Sequence, residues 1–256
     1  MLISLLLKDS LNCGSMLTIL IIMSFKTLQR KSGDYMRLAI FDFDGTLYKK
    51  ETFQLLMNHL KTHPTYHPQY KRFFRNILPL YIGYKLNLYP EHSLKERSMQ
   101  LYINAFERLS TKELHAYFSE VANKMIDDIN DDVIKRVTQH NKDKFYVMLV
   151  SGAFTYLLHA VTERIHVSFD TIIGTDIPIK NDRLDKSTSI YHIQGIRKCE
   201  KIREYFKNQH VDWQNSFAYG DSLSDRSVLE LVGNPVVVQP EPKLQKLAVE
   251  KGWEMI

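Results

Sequence analysis

The chain has 256 residues, 44% of them hydrophobic and 25% charged, proportions that exclude wholesale disorder and fibrous or low-complexity architectures. Two cysteines, Cys13 and Cys199, leave no disulfide framework and no cysteine-based zinc site, and they fit a reducing compartment. The net charge of +5, from 34 Lys and Arg against 29 Asp and Glu, is too slight for a nucleic-acid footprint; it suits an anionic substrate or surface.

Residues 1–35 stand apart from the rest. They hold two short apolar runs, 2–7 and 16–23, broken by Lys8, Asp9 and Asn12. Both fall short of the roughly 18 to 20 residues that a membrane span needs. The flanking charges and the missing small-residue cleavage site do not suit a signal peptide. The expectation is a disordered or dubious N-terminal extension, with a second methionine, Met36, opening the folded part; a membrane-tethering segment is the alternative.

From Met36 the pattern is orderly. Leu38, Ala39, Ile40 and Phe41 form a continuous apolar run, the mark of a strand buried on both faces of a parallel sheet. Residues from about 51 to 130 then show no strand pattern. Phe53, Leu56, Met57 and Leu60 share one helical stripe, as do Leu101, Tyr102, Ala105, Phe106 and Leu109. Ser110 followed by Glu113 is a capping box, opening a helix that carries Leu114, Tyr117, Phe118, Val121, Ala122, Met125, Ile126 and Ile129. Strand-like runs resume at 145–150, 171–173, 217–219 and 236–238. Helical stripes lie between and after them at Phe154 to Ile165, Cys199 to Phe206, and Leu244 to Ala248. Strands alternating with helices predict an α/β fold: an open, mostly parallel Rossmann-like sheet with helices on both faces and an all-helical insert after the first strand.

Four clusters sit at the ends of these strands or on the following helix. Asp42-Phe43-Asp44-Gly45-Thr46 places two carboxylates beyond the first strand, where open α/β sheets bind ligands, with Gly45 to bend the chain. One such carboxylate can accept a phosphoryl group while the other protonates a leaving oxygen. Ser151-Gly152-Ala153 reads as a hydroxyl and backbone N–H groups at a helix start, a cradle for phosphate. Lys198, with Lys201 as the fallback, can neutralise charge on a transferring phosphoryl group. Asp221 and Asp225, in Gly220-Asp-Ser-Leu-Ser-Asp225, can hold Mg²⁺ together with the first cluster.

Taken in this order, the four clusters resemble the four motifs of the haloacid dehalogenase-like hydrolases. The spacing Gly195-Ile-Arg-Lys198 and the run 218–225 are similar to subfamily IB, which includes phosphoserine and phosphatidylglycerophosphate phosphatases. The resemblance covers residues 37–256. It implies a catalytic core over 36–47 and 131–256 and a helical cap over 48–130. It further implies that Asp42 is the nucleophile and Asp44 the acid and base. Thr46, Ser151 and Gly152 would bind phosphate, Lys198 would balance its charge, and Asp225 would orient Lys198. Mg²⁺ would rest on the Asp42 carboxylate, the Asp44 carbonyl and Asp221. Asp44 and the second acidic pair favour phosphate over halide chemistry, since a dehalogenase has no alkoxide to protonate. A signalling receiver domain would lack the large insert.

The implied activity is Mg²⁺-dependent hydrolysis of a small-molecule or lipid phosphate through an aspartyl phosphate. A membrane-surface lipid phosphatase and a non-catalytic phospho-acceptor or binding module are the alternatives. Glu51, nine residues after Asp42, matches the position at which phosphoserine phosphatases read an amine, although Gly45 and Ser222-Leu-Ser224 depart from their pattern. Residues 61–97 carry seven Lys and Arg against two Glu, interleaved with aromatics. A cytoplasmic protein with no nucleic-acid partner is therefore expected, with residues 66–89 as a candidate peripheral membrane contact.

Overall fold

The apolar run after Met36 forms β1 (Leu38–Phe41), buried along its whole length. The structure is a computed structural model that describes residues 35–256; the expectation for the N-terminal extension falls on residues 1–34, outside that range. Arg37–Ile256 form one unit. β1 leads into five helices: α1 (Thr52–Thr62), α2 (His67–Lys85), α3 (Glu91–Asn104), α4 (Thr111–Asn123) and α5 (Asp131–Lys142). Then come β2 (Tyr146–Phe154), α6 (Thr155–Thr162), β3 (Thr171–Thr175), a small antiparallel pair β4 (Ile179–Lys180) and β5 (Arg183–Leu184), and α7 (Ile196–Tyr205). The chain closes with β6 (Phe217–Gly220), α8 (Arg226–Leu229), β7 (Asn234–Val237), α9 (Pro242–Lys251) and β8 (Glu254–Met255).

The sheet runs β3-β2-β1-β6-β7-β8, and every neighbouring pair is parallel. This is the α/β architecture expected, a parallel sheet with helices around it. From β1 the chain steps outward through β2 to β3, then crosses back to lay β6 on the other side of β1. The strand order therefore reverses at β1, and a crevice opens beyond the carboxyl ends of β2, β1 and β6.

α4 shows how the helical segment between β1 and β2 is built. Ser110 caps its first turn: the hydroxyl accepts from the Glu113 N–H at 3.3 Å and the Glu113 carboxylate accepts from the Ser110 N–H at 2.8 Å. Such a box contributes about 1 kcal/mol. Leu114, Tyr117, Phe118 and Val121 then bury one face completely, at roughly 1.5–3 kcal/mol per large side chain. The Tyr117 hydroxyl meets that of Tyr102 from α3, so each satisfies a polar atom that burial would otherwise strand. The two ends of the segment lie side by side. The Lys49 N–H donates to the Asp128 carbonyl at 3.0 Å, the Asn130 N–H to the Leu47 carbonyl at 2.9 Å, and Lys50 pairs with Asp128 at 2.7 Å.

Three expectations shift. β2 runs on to Phe154, which pairs with Thr175 across a slip in register after Val150. Ser151-Gly152-Ala153 is therefore strand, and the helix starts only at Thr155. α3 stops at Asn104 although its apolar spacing continues to Leu109, and α4 stops at Asn123, before Met125 and Ile129. Ala105, Phe106 and Met125 are buried all the same; apolar spacing reports burial, and a turn can bury the side that a helix would. The two-residue strands β4, β5 and β8 are too short to carry any periodic signal.

Candidate active site

The three central strands deliver the site. Asp42 follows β1 directly and is locked to β6 by its N–H, which donates to the Tyr219 carbonyl at 3.0 Å. Ser151 lies near the end of β2, and Asp221 follows β6. Lys198, in the first turn of α7, reaches in from the side. Its ammonium donates to Asp42 Oδ1 and to Asp225 Oδ1, each at 2.6 Å. Asp42, Lys198 and Asp225 are all buried. Lys201 faces outward to Glu204 at 2.8 Å, so Lys198 is the lysine at the site.

Two glycines make room for this. Gly45 has φ +70°, and a Cβ there would stand 2.1 Å from Asp221 Oδ2. Only a residue without a side chain both turns the chain here and admits the Asp221 carboxylate. Gly220 makes room for Asp225, whose Cβ would lie 2.6 Å from one on Gly220. Asp225 is held further by the Ser222 N–H at 3.2 Å and the Ser222 hydroxyl at 3.1 Å.

Carboxylates crowded out of water hold their protons more tightly. Burial, then neighbouring Asp225, pushes Asp42 well above the usual carboxylate range against the pull of the Lys198 ammonium. Burial, with Asp225 and Glu51, lifts Asp221 to about 7. Burial also lifts Asp44 to about 7, in spite of hydrogen bonds from Thr52. For Lys198 burial works against the charge, yet Asp225 and Asp42 outweigh it and hold the ammonium above its ordinary value.

Oxygens of Asp42, Asp221 and Asp225 lie within 4.8 Å of one another, a set that could hold a cation. All three are hard oxygen donors, with neither imidazole nor thiolate among them, which suits Mg²⁺ rather than a softer metal. The Asp44 carboxylate is not part of that set; it accepts from the Thr52 N–H at 3.0 Å and from the Thr52 hydroxyl. Thr46 is fully buried, and its hydroxyl has no protein partner. Ser151 is buried as well, and its hydroxyl accepts from the Ala153 N–H at 3.0 Å within the strand end. Glu51 precedes α1 as an exposed residue that makes no capping bond, yet its charge acts on both Asp44 and Asp221.

Two residues at the site were not singled out from the sequence. Thr52 orients Asp44; its place at the first position of a helix behind an acidic residue was a legible signal. His192 comes from a loop, and its Nε2 would stand 2.9 Å from a Cβ on Gly152; nothing in the local sequence announces that approach. Burial lowers His192 to about 4, so the ring is neutral. His192 also lines a cavity of about 590 Å³ with Lys95 and Glu96 of α3, Gly195, Arg197 and Ser224.

A second cluster, His59, His63 and Glu120, gathers in the helical segment. His63 Nδ1 accepts from the N–H groups of Thr65 and Tyr66 at 3.1 and 3.2 Å, which leaves the ring proton on Nε2, 2.9 Å from Glu120. That tautomer donates a hydrogen bond and has no lone pair to offer a metal. The cluster is a hydrogen-bonded corner of the packing.

A family model described as haloacid dehalogenase-like hydrolase matches residues 39–230. The chain is 26% identical over 168 residues to the inhibition of morphological differentiation protein of Streptomyces azureus, covering 65% of this chain and 60% of that one. It is 28% identical over 150 residues to the phosphoserine phosphatase SerB1 of Mycobacterium tuberculosis, covering 58% of this chain and 48% of the relative. The match thus spans only about half of these curated relatives' length. A crystal structure of a protein of unknown function from Bordetella pertussis superposes with a TM-score of 0.71 at 20% identity, over 87% of this chain and 99% of that one.

Proposed function

The chain belongs to the haloacid dehalogenase-like hydrolase family, and on that premise we propose that it hydrolyses phosphate monoesters with Asp42 as nucleophile. The observation that carries the reading is the convergence of Asp42, Lys198, Asp221 and Asp225 beside a buried Thr46 hydroxyl that lacks a protein partner.

An Asp42 oxygen attacks phosphorus, the bond to the leaving alcohol oxygen breaks, and Asp44 gives that oxygen its proton. A carboxyl group with a pKa near 7 is about half protonated at neutral pH, so it can both give and take a proton there, and Thr52 orients it. Asp44, now ionised, then takes a proton from water. The resulting hydroxide adds to the phosphorus of the aspartyl phosphate, the bond to Asp42 breaks, and phosphate leaves. Thr46 and Ser151 hydroxyls and the Gly152 N–H hold the phosphoryl oxygens, while Lys198, oriented by Asp225, balances their charge. Mg²⁺ on Asp42 and Asp221, close to Asp225 and with the Asp44 carbonyl as a further donor, would neutralise the phosphate's negative charge.

Residues 48–130 act as a cap over this core, a reading supported by the paired strands of chain at residues 47–50 and 128–130. The leaving group occupies the cavity between α3 and the loop before α7, where Lys95 and the Glu96–Arg197 ion pair at 2.9 Å give a polar lining that suits a small polar alcohol. Glu51, exposed and close enough for its charge to act on Asp44 and Asp221, would meet a cationic group on the substrate.

The test is turnover of p-nitrophenyl phosphate with added Mg²⁺, expected to stop with a chelator and to return when Mg²⁺ is restored. A purified, folded protein that shows no turnover sinks the reading, and a stable phospho-Asp42 without turnover makes it a phospho-acceptor. A panel of phosphoserine, other small phosphomonoesters and lipid phosphates then ranks substrates by kcat/KM.

A further inference from the structure

α2 turns Phe73 and Ile77 inward and leaves a second apolar row facing outward. Phe74, Leu78, Tyr81 and Ile82 lie on that outer face, and Leu86 and Leu88 extend it past the end of the helix. Their exposure runs from 39% at Leu78 to 77% at Leu88. Other exposed large apolar side chains among the described residues are scattered singly, at Tyr191, Leu223 or Val249 for example. Isolated exposed apolar residues are ordinary, but a contiguous row marks a contact.

Charge says what kind of contact. Residues 61–90 contain Lys61, Lys71, Arg72, Arg75 and Lys85 and no Asp or Glu. Arg72 is drawn inward to Glu107. Lys71 and Lys85 are spaced to flank the apolar row on the same helical face, with Arg75 at its edge, and all three are exposed. The Lys85 ammonium lies 5.5 Å over the Tyr81 ring and 5.8 Å over that of Tyr84, its stem along the apolar row and its charge at the margin. A second copy of the chain laid on this face would bring lysine against lysine, with no acid in the segment to answer. The first 34 residues, with four basic and two acidic side chains, have the same sign.

We infer that the outer face of α2 and the turn after it, Phe74 to Leu88, dock on the surface of an anionic lipid bilayer. The hydrocarbon boundary takes Phe74, Leu78, Ile82 and Leu86. Tyr81 sits at headgroup depth, and lipid phosphates meet Lys71, Arg75 and Lys85. Catalysis is not needed for this contact, and α2 supplies none of the residues assigned to the chemistry.

Co-sedimentation of the full chain with phosphatidylcholine vesicles, with and without one-quarter phosphatidylglycerol, tests it. The protein is expected to pellet with the phosphatidylglycerol vesicles, to stay in solution with phosphatidylcholine alone, and to be released by high salt. Lys71→Glu, Arg75→Glu and Lys85→Glu together should weaken partition by at least about 100-fold, since each basic residue near an anionic surface contributes roughly 1 kcal/mol. Leu78→Glu with Ile82→Glu should weaken it at least tenfold by removing the apolar contact. Both variants should keep the wild-type thermal melt and turnover of p-nitrophenyl phosphate. No pelleting by the wild type overturns the proposal. So does pelleting that survives both sets of substitutions, or a dimer in sedimentation velocity that Ile82→Glu disperses. Because pelleting is read without hydrolysis, a missing phosphatase activity leaves this result standing, and the reverse holds too.

Discussion

The strand-end crevice and the outer face of α2 break the same rule in opposite directions. At the crevice a lysine and two aspartates are buried, and Thr46 adds a hydroxyl with no protein partner. Along α2, leucine, isoleucine and phenylalanine face water instead. Buried charge costs free energy unless it is paired, and exposed hydrocarbon forgoes about 25 cal/mol per Å². A fold carries both only where something else completes the interaction. On the readings proposed above, a phosphate and a cation would do so at the crevice, and an apolar phase with negative charge at its edge would do so along α2. Departures from good packing therefore separate into two kinds of site, and their chemistry tells which.

The sharpest way to break this contrast is at Asp42. Asp42→Asn should lower turnover of p-nitrophenyl phosphate by at least about 10³-fold while the circular dichroism spectrum stays unchanged, because on the proposed mechanism an amide cannot take up the phosphoryl group. Lys198→Met tests whether the buried charges are a structural liability. Removing the ammonium strands two carboxylates and should cost about 3 kcal/mol in urea unfolding. Adding Asp225→Asn should recover part of that loss; an unchanged midpoint in the single variant would mean the triad is not coupled. Gly45→Ala drives a Cβ into the Asp221 carboxylate and strains a positive φ. Activity should fall by roughly 100-fold, as expected for displacement of a positioned group by about 1 Å.

A smaller effect comes from pH. Burial lowers His140 to about 4, with its ring between Phe145 and Phe217 and its Nε2 2.8 Å from the Tyr219 hydroxyl. The unfolded chain binds this proton below about pH 6.5 while the folded one refuses it until about 4. Stability is therefore full above pH 6.5 and falls as pH drops toward 4, by on the order of 2 kcal/mol for this residue. Urea midpoints at pH 7.5 and 4.5 measure the slope, and His140→Gln should flatten part of it. The smallest effect belongs to the other side of the comparison. Leu78→Glu and Ile82→Glu should each change stability by no more than about 0.5 kcal/mol, since these side chains are already in water. A large loss on thermal melting would show that the row packs against protein.

Much of the crevice was legible in the chain. Asp42, Asp44, Asp221 and Asp225 announce themselves because each follows a short apolar run, and a parallel strand ends where its polar loop begins. The capping box at Ser110 was equally readable, since a cap is a contact between neighbours in sequence. Ser151 was legible as lying at the end of an apolar strand before a helix, but the strand runs on three residues further to Phe154. The surroundings of Ser151 resemble a cap, and only the pairing of Phe154 with Thr175, far along the chain, keeps that stretch extended. His192 gave no signal, because its approach to Gly152 brings a loop against the end of β2 from 40 residues further along the chain.

By itself the sequence determined the class of fold and the residue types able to carry phosphoryl chemistry, because strand burial, helix capping and loop polarity are properties of neighbouring residues. The tertiary structure decided which lysine faces Asp42. Lys198 and Lys201 are three apart on one helix; the spacing after Gly195 favours Lys198 with Lys201 as the fallback, and the approach of α7 to β1 and β6 sets the Lys198 ammonium against Asp42. It also decided which apolar residues of α2 are core and which are surface. Phe73 and Phe74 are identical in chemistry and adjacent in the chain; packing against α1 and α3 buries the first and leaves the second in water.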